Sequence, residues 1–134
     1  MKLLIKNTTI VTVNDQDQVL EHADLAVSGK NIVGVGKAPL DFIPDRVIDG
    51  KGKLVMPGLI NAHTHLSMTL MRNYADDLPF SDWLFKKIKP LEDHLLAEDV
   101  RLGAKLGIAE MIRGGTTCFH DMYFHLDQVA EEVE

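Results

Sequence analysis

Cysteine and long apolar runs are nearly absent from this 134-residue chain. The single cysteine, Cys118, excludes an internal disulfide framework and is typical of a reducing cytoplasm. No stretch approaches the ~20 apolar residues that a membrane-spanning helix needs. The apolar run at residues 3–5 is too short for the core of a signal peptide. The sequence therefore predicts a cytoplasmic protein with no membrane partner.

Positive charge is scarce as well. Lys and Arg number 14 against 20 Asp and Glu, which gives a net charge of −6. Binding to a phosphate backbone depends on clustered Lys and Arg side chains, so we expect no nucleic-acid partner. The basic cluster Lys86, Lys87 and Lys89 alternates with apolar residues and indicates the solvent face of a helix.

Short β-strands are predicted for the first 55 residues. These residues are rich in Ile, Val and Thr, and turn signals such as Asn14-Asp15 interrupt them. The turn Gly29-Lys30-Asn31 lies between two apolar runs and predicts a hairpin. The segment contains no cluster of catalytic side chains. The predicted strands are 3–13, 24–28, 32–35, 46–49 and 53–55.

From Met56 onwards the pattern changes to strand, helices, strand. Ser81 is expected to cap a helix that ends near Pro90. A longer helix over 98–113 has apolar residues at three- and four-residue spacing and ends at Gly114-Gly115. Enough residues separate the two strands for a parallel crossover. The predicted strands are 59–66 and 116–119, and residues 127–134 begin a further helix.

His63 and His65 form the candidate metal site. Side chains two residues apart on a strand point to the same face, so both imidazoles can reach one metal ion. A His-x-His pair also occurs by chance, but this one ends an apolar strand, where α/β barrels build their active sites. The remaining histidines and the cysteine are interpreted as structural or surface residues: His22, His94, Cys118, His120 and His125.

The sequence around this pair resembles a known family. Residues 53–65, Lys-Leu-Val-Met-Pro-Gly-Leu-Ile-Asn-Ala-His-Thr-His, closely resemble the first barrel strand of the amidohydrolase superfamily. Further motifs make the chain similar to the 5-methylthioadenosine/S-adenosylhomocysteine deaminases and their chlorohydrolase relatives. Those motifs lie at 68–72, 76–80, 83–84, 90–92, 113–117 and 121–123.

The resemblance implies an α/β fold, the N-terminal part of a metal-dependent hydrolase (β/α)8 TIM barrel preceded by a small β-sandwich segment. Residues 1–55 would belong to a composite β-sandwich, and residues 56–134 would form the first two βα units of the barrel. A complete barrel has about 250 residues, so we expect the barrel to be incomplete in this chain. A longer form of the same chain, or a companion chain, would then supply the remaining strands and helices of the barrel. A homo-oligomer is a further expected partner arrangement.

The resemblance also implies a hydrolytic deaminase acting on a purine nucleoside, an adenosine thioether. One divalent metal ion, zinc or iron, would activate a water that attacks the amine-bearing carbon and releases ammonia. His63 and His65 would be metal ligands, Glu92 would accept hydrogen bonds from the ribose hydroxyls, and Trp83 would line the substrate pocket. Without the resemblance, Glu92 is typical of a solvated helix end and Trp83 of ordinary core packing.

Several alternatives stay open at the level of sequence. Within the superfamily these are a guanine or cytosine deaminase and a triazine chlorohydrolase. Outside it, the chain would be a truncated product or an interaction module without activity. A catalytic zinc typically takes three protein ligands, and the resemblance assigns only two to this chain. We therefore expect the chain alone to be inactive, with no catalytic residue beyond the metal ligands.

Overall fold

Residues rich in Ile, Val and Thr form a five-stranded sheet in the first unit of the chain, Met1–Pro57. The computed structural model describes residues 1–134. Strand β1 (Lys2–Val11) pairs antiparallel with β2 (Val19–Ser28) and parallel with β4 (Arg46–Asp49) and β5 (Leu54–Val55).

Strand β3 (Asn31–Gly36) extends this sheet as the antiparallel partner of β2. The hairpin predicted at the turn after Ser28 is confirmed, and Gly29 has the positive φ of +61° that glycine adopts without strain. The core of the unit is small and apolar. Its buried members are Ile10, Ala23 and Leu25.

The second unit, Gly58–Glu134, contains two parallel strands joined by a helical crossover. Strand β6 (Leu59–Thr64) pairs with β7 (Thr116–Asp121), as predicted, and Thr64 lies opposite Asp121 at their carboxyl ends. Because parallel strands end at the same sheet edge, residues following β6 and β7 are neighbours. A 3₁₀ helix, Leu66–Met71, begins just after His65.

The segment from Phe80 to Glu92 is helical throughout, which corrects two predictions. Ser81 does not cap the helix, because Pro79 occupies the N-cap position of α1 (Phe80–Trp83). Pro90 does not end it either. A π-helical turn, Leu84–Ile88, leads into α2 (Lys89–Glu92), where Pro90 lies in the first turn and needs no N–H donor.

Helix α3 (Ala97–Gly114) packs its predicted apolar face against the 3₁₀ helix and α4 (Leu126–Val133). Its end is also as predicted, since Gly115 has φ +85° at the C-cap. The buried cluster consists of Leu66, Val100, Ala104 and Val129, with Ile108 and Met111 against it. None of the helices combines the length and apolar character that crossing a lipid bilayer requires.

Candidate metal and substrate site

His63 and His65 lie together at the carboxyl end of β6. Their ring centroids are 5.1 Å apart, and the rings meet nearly at right angles, with 81° between their planes. His63 is exposed, whereas His65 is half-buried. The two imidazoles therefore form a pair of nitrogen donors at one point of the structure, as the period of two along a strand requires.

The orientation of the His65 ring is set by a main-chain group. Its Nδ1 lies 2.6 Å from the carbonyl oxygen of Met122, just past the end of β7. A carbonyl oxygen can only accept, so Nδ1 carries the proton and donates it. In the neutral ring, the other nitrogen, Nε2, is then the one without a proton and has a lone pair available for a metal ion.

Asp121 ties the ends of the two strands together. Its Oδ1 accepts a hydrogen bond of 3.0 Å from the backbone N–H of Leu66, and the N–H of Met122 donates to the carbonyl oxygen of Thr64. The second carboxylate oxygen of Asp121, Oδ2, is buried without a partner. A buried, unpaired acceptor beside the end of β6 favours a cation in this region.

A cavity of about 390 Å³ brings three of the four predicted site residues together. His65, Trp83 and Glu92 all line it, and the rest of its wall is apolar or aromatic apart from Tyr123. Trp83 is half-buried and lies beside Phe80, with 5.9 Å between the ring centroids. The cavity therefore combines a metal-capable nitrogen, an acidic group and a broad apolar surface, as small-molecule sites commonly do.

The continuous helical segment explains why Trp83 and Glu92 share this cavity. Trp83 ends α1 and Glu92 ends α2, with the π-helical turn between them. A helix interrupted at Pro90 would leave the direction of Glu92 undetermined. Turns of this π type are frequent at functional sites, because the extra residue changes which side chains share a face.

Tyr123 is a site residue that the sequence reasoning did not single out. It lines the same cavity, and its ring centroid lies 6.4 Å from that of His65. Burial raises the pKa of the Tyr123 phenol, and the neighbouring Glu92 carboxylate raises it further. The hydroxyl is buried and has no formed hydrogen bond. Its position directly after Asp121-Met122, within a motif already noted, is the signal that could have identified it.

The other histidines and the cysteine lie outside this cavity. His22, His94, Cys118 and His120 are all exposed. His125 lines a separate cavity of about 400 Å³ that also reaches Glu92. No group of three or more His, Cys, Asp or Glu side chains is arranged to hold a metal ion.

A larger cavity of about 500 Å³ also reaches His65 from between β6 and α3. Its charged side chains are Arg72 and Glu110, which form two hydrogen bonds of 2.9 and 2.7 Å with each other. Each of these charges is already matched, so neither is free to recognise a ligand. The cavity at Trp83 and Glu92 is the better candidate for a substrate site.

The chain is similar to known proteins along nearly its whole length. A family model, the amidohydrolase family, matches residues 54–134. A 5-methylthioadenosine/S-adenosylhomocysteine deaminase from Acetivibrio thermocellus is 52% identical over 99% of this chain and 32% of the relative. The same-named protein from Thermoanaerobacter pseudethanolicus is 49% identical over 100% of the chain and 31% of the relative. The chain thus spans about a third of the length of these curated relatives.

Solved structures show the same likeness. An adenosine deaminase from Xanthomonas campestris with bound zinc superimposes with a TM-score of 0.88 at 43% identity, over 97% of this chain and 30% of that chain. An atrazine chlorohydrolase from Arthrobacter aurescens, complexed with zinc, superimposes with a TM-score of 0.87 at 28% identity, over 97% of this chain and 32% of that chain.

Proposed function

Because the chain belongs to the amidohydrolase family, we propose that it forms part of a metal-dependent hydrolytic deaminase of adenosine thioethers, 5-methylthioadenosine and S-adenosylhomocysteine. The observation that carries this proposal is the single cavity lined by His65, Trp83 and Glu92. The relatives that carry the name of this deaminase support the choice of substrate. Residues 56–134 would supply the first two βα units of the barrel, and residues 1–55 part of a β-sandwich.

His63 and His65 would hold one divalent metal ion, zinc or iron. The donor set fits, because the proton on Nδ1 of His65 leaves Nε2 free and the second imidazole is adjacent. When bound, such an ion lowers the pKa of a water molecule towards neutrality and so supplies the hydrolytic nucleophile. The other ligands would come from outside this chain, since no third ligand joins the pair within it.

Glu92 and Trp83 would bind the substrate. The Glu92 carboxylate is half-buried in the cavity wall, where it can accept hydrogen bonds from two neighbouring ribose hydroxyls. The Trp83 indole and the apolar wall would cover the purine or the thioether group and exclude water. Activity would require the remaining strands of the barrel in addition to these residues.

Substrate assays on the complete protein that carries this chain test the proposal. Ammonia release is measured with 5-methylthioadenosine, S-adenosylhomocysteine and guanine, and chloride release with a chlorotriazine. We expect turnover of the two thioethers, and a loss of nucleoside binding in Glu92→Ala because the acceptor for the ribose hydroxyls is gone. Turnover of guanine or the triazine alone, or an unchanged KM in Glu92→Ala, would contradict the proposal.

A triazine chlorohydrolase is the second candidate, favoured by the similarity to the atrazine chlorohydrolase structure. A chlorotriazine has no ribose, so a free carboxylate in the cavity wall would have no hydroxyl to bind. The presence of Glu92 in that wall therefore favours the nucleoside. A non-enzymatic role would be indicated if the complete protein released neither ammonia nor chloride while still binding metal.

A further inference from the structure

Tyr123 and Glu92 meet in the wall of the cavity that holds the proposed substrate. Tyr123 follows β7 by two residues and Glu92 ends α2, so one side chain comes from the segment after β7 and the other from the crossover itself. The Tyr123 ring also lies near that of His65, at 6.4 Å between centroids. One tyrosine therefore lies near the His65 imidazole and lines the same cavity wall as the carboxylate proposed to bind the ribose.

Neither polar group has a formed partner in the chain. The Tyr123 hydroxyl is buried without a hydrogen bond, and the Glu92 carboxylate takes part in none of the ion pairs of the structure. Buried hydroxyls are nearly always paired, because an unpaired one loses its bonds to water. A phenol donates one hydrogen bond, and a carboxylate beside it accepts through two oxygens.

We infer that Tyr123 is a positioning residue for Glu92: its hydroxyl donates to one carboxylate oxygen when substrate is bound and turns the other oxygen towards the ribose hydroxyls. This inference rests on the proposed function, in which Glu92 binds the ribose. Tyr123 acts through Glu92 and moves no proton in the reaction. Its removal should therefore change the binding of ribose-bearing substrates and leave the metal site intact.

The test is Tyr123→Phe in the complete protein with its metal bound. The variant keeps the ring against His65 and deletes only the hydroxyl. Because a hydrogen bond to a charged group contributes about tenfold or more to an equilibrium constant, KM for 5-methylthioadenosine should rise roughly tenfold. The kcat and the bound metal per chain should stay as in the wild type. Tyr74→Phe is the matched control, since Tyr74 is exposed and lies outside the cavity.

Two further measurements separate positioning from a structural role. The KM ratio between 2′,3′-dideoxyadenosine and adenosine should shrink in Tyr123→Phe, because only adenosine has the hydroxyls that Glu92 binds. In a Glu92→Ala background, Tyr123→Phe should have no further effect on KM. Since KM does not depend on the fraction of folded enzyme, both comparisons hold even for a less stable variant.

The outcomes distinguish this inference from the proposed function. An active wild type whose KM values are unchanged by Tyr123→Phe, or changed equally for adenosine and its dideoxy analogue, overturns the positioning role alone. A wild type that neither deaminates nor binds adenosine thioethers overturns both. Additive effects of the two substitutions on KM would also contradict the coupling between Tyr123 and Glu92.

Discussion

At the scale of single residues, the two imidazoles at the carboxyl end of β6 differ in how firmly they are held. His65 is half-buried and donates its Nδ1 proton to a main-chain oxygen, whereas the His63 side chain is exposed and has no hydrogen bond of its own. A metal ion would therefore meet one preorganised ligand and one that has to adjust. Loss of His65 should disturb the site more, because its orientation is already fixed before binding.

We predict that His65→Ala abolishes stable metal binding in the complete protein and that His63→Ala weakens it. Each substitution removes one nitrogen donor, and the loss leaves fewer protein donors than the three that a catalytic zinc typically takes. Metal per chain after dialysis and kcat for 5-methylthioadenosine are the measurements. His22→Ala, in the other unit, should keep full metal content. Unchanged metal content in both His65→Ala and His63→Ala would show that the pair is not the site.

The sequence allowed some of these residues to be recognised and not others. Sequence motifs alone were enough to select four candidate site residues: His63, His65, Glu92 and Trp83. Their roles in binding metal and substrate remain proposals. Tyr123 gained its importance only through a buried hydroxyl that faces Glu92 from another element. A contact of that kind depends on how β7 and α2 pack, which no local pattern encodes.

At the scale of elements, helix α3 approaches the 3₁₀ helix so closely that side chains are excluded at their contact. A Cβ added at Gly103 would lie 2.6 Å from the carbonyl oxygen of Ser67 and 3.0 Å from its Cα. Ser67 itself is fully buried and donates 2.7 Å from its Oγ to the carbonyl oxygen of Val100. Because the atoms that would be displaced belong to the backbone of Ser67, they cannot move aside as a flexible side chain would.

We predict that Gly103→Ala destabilises the protein by about 1–3 kcal/mol, as expected for overpacking of a tight contact. The gain in helix propensity, up to about 1 kcal/mol, offsets only part of this. Gly114→Ala in the same helix is the control, because a Cβ there meets no atom within 4 Å. Urea unfolding of both variants gives the comparison. Equal stability of the two would mean that α3 can shift away from Ser67.

Helix α4 is attached to α3 by ion pairs as well as apolar packing. Glu132, whose side chain is only 13% exposed, pairs with Arg101 and lies 3.4 Å from the Lys105 ammonium. The Arg101 guanidinium, by its hydrogen bond and charge, lowers the pKa of the Glu132 carboxyl. A lowered folded-state pKa stabilises the fold above the unfolded value, about 4.3, and the stabilisation is lost as the pH falls through the folded value.

Glu132→Gln should therefore lower the melting temperature at pH 7. In acid, where the wild-type carboxyl is also uncharged, the variant and the wild type should melt at the same temperature. Melting curves of wild type and variant between pH 7 and pH 3 provide the measurement, and the difference should shrink below the unfolded carboxyl pKa as the pH falls towards the lowered folded-state value. Glu131→Gln is matched in chemistry and position but is exposed, and it should change little. A difference that persists at low pH would assign the effect of Glu132 to packing.

At the scale of the whole molecule, the fold class is confirmed. The α/β pattern, the parallel crossover from β6 to β7 and the relationship to amidohydrolase barrels all agree with the structure and its likeness to the Xanthomonas campestris adenosine deaminase. Periodicity and turn residues indicated the order strand, helices, strand, which is a local pattern. The relationship to amidohydrolase barrels came instead from the resemblance of the motifs around His63 and His65. The helix ends at Glu92, close to Pro90 as expected, but Pro90 is not its stop. The π-helical turn before it, with the bond from Lys89 N–H to the Leu84 carbonyl oxygen, places Pro90 in the first turn of α2, where no N–H donor is needed.

The two-stranded sheet of the second unit has an unpaired edge on each side. Leu59 and Ile60 on β6 are 50% and 73% exposed, and exposed apolar edge strands promote association. We predict that the isolated chain self-associates as its concentration rises, and that Ile60→Lys reduces this. Light scattering after size exclusion measures it, with Leu40→Lys in a fully exposed loop as control. A chain that stays monomeric at all concentrations would contradict the prediction.

The acceptor that holds His65 is the carbonyl oxygen of Met122, and every amino acid has that oxygen. No substitution to another amino acid at position 122 removes this oxygen. The tautomer of the His65 imidazole is therefore set by a backbone group and not by a side chain. The Met122 side chain, 62% exposed and part of the cavity wall, is therefore free to vary. Selection, or an engineer, can alter the fit of a substrate at this position while leaving the orientation and tautomer of the metal ligand unchanged.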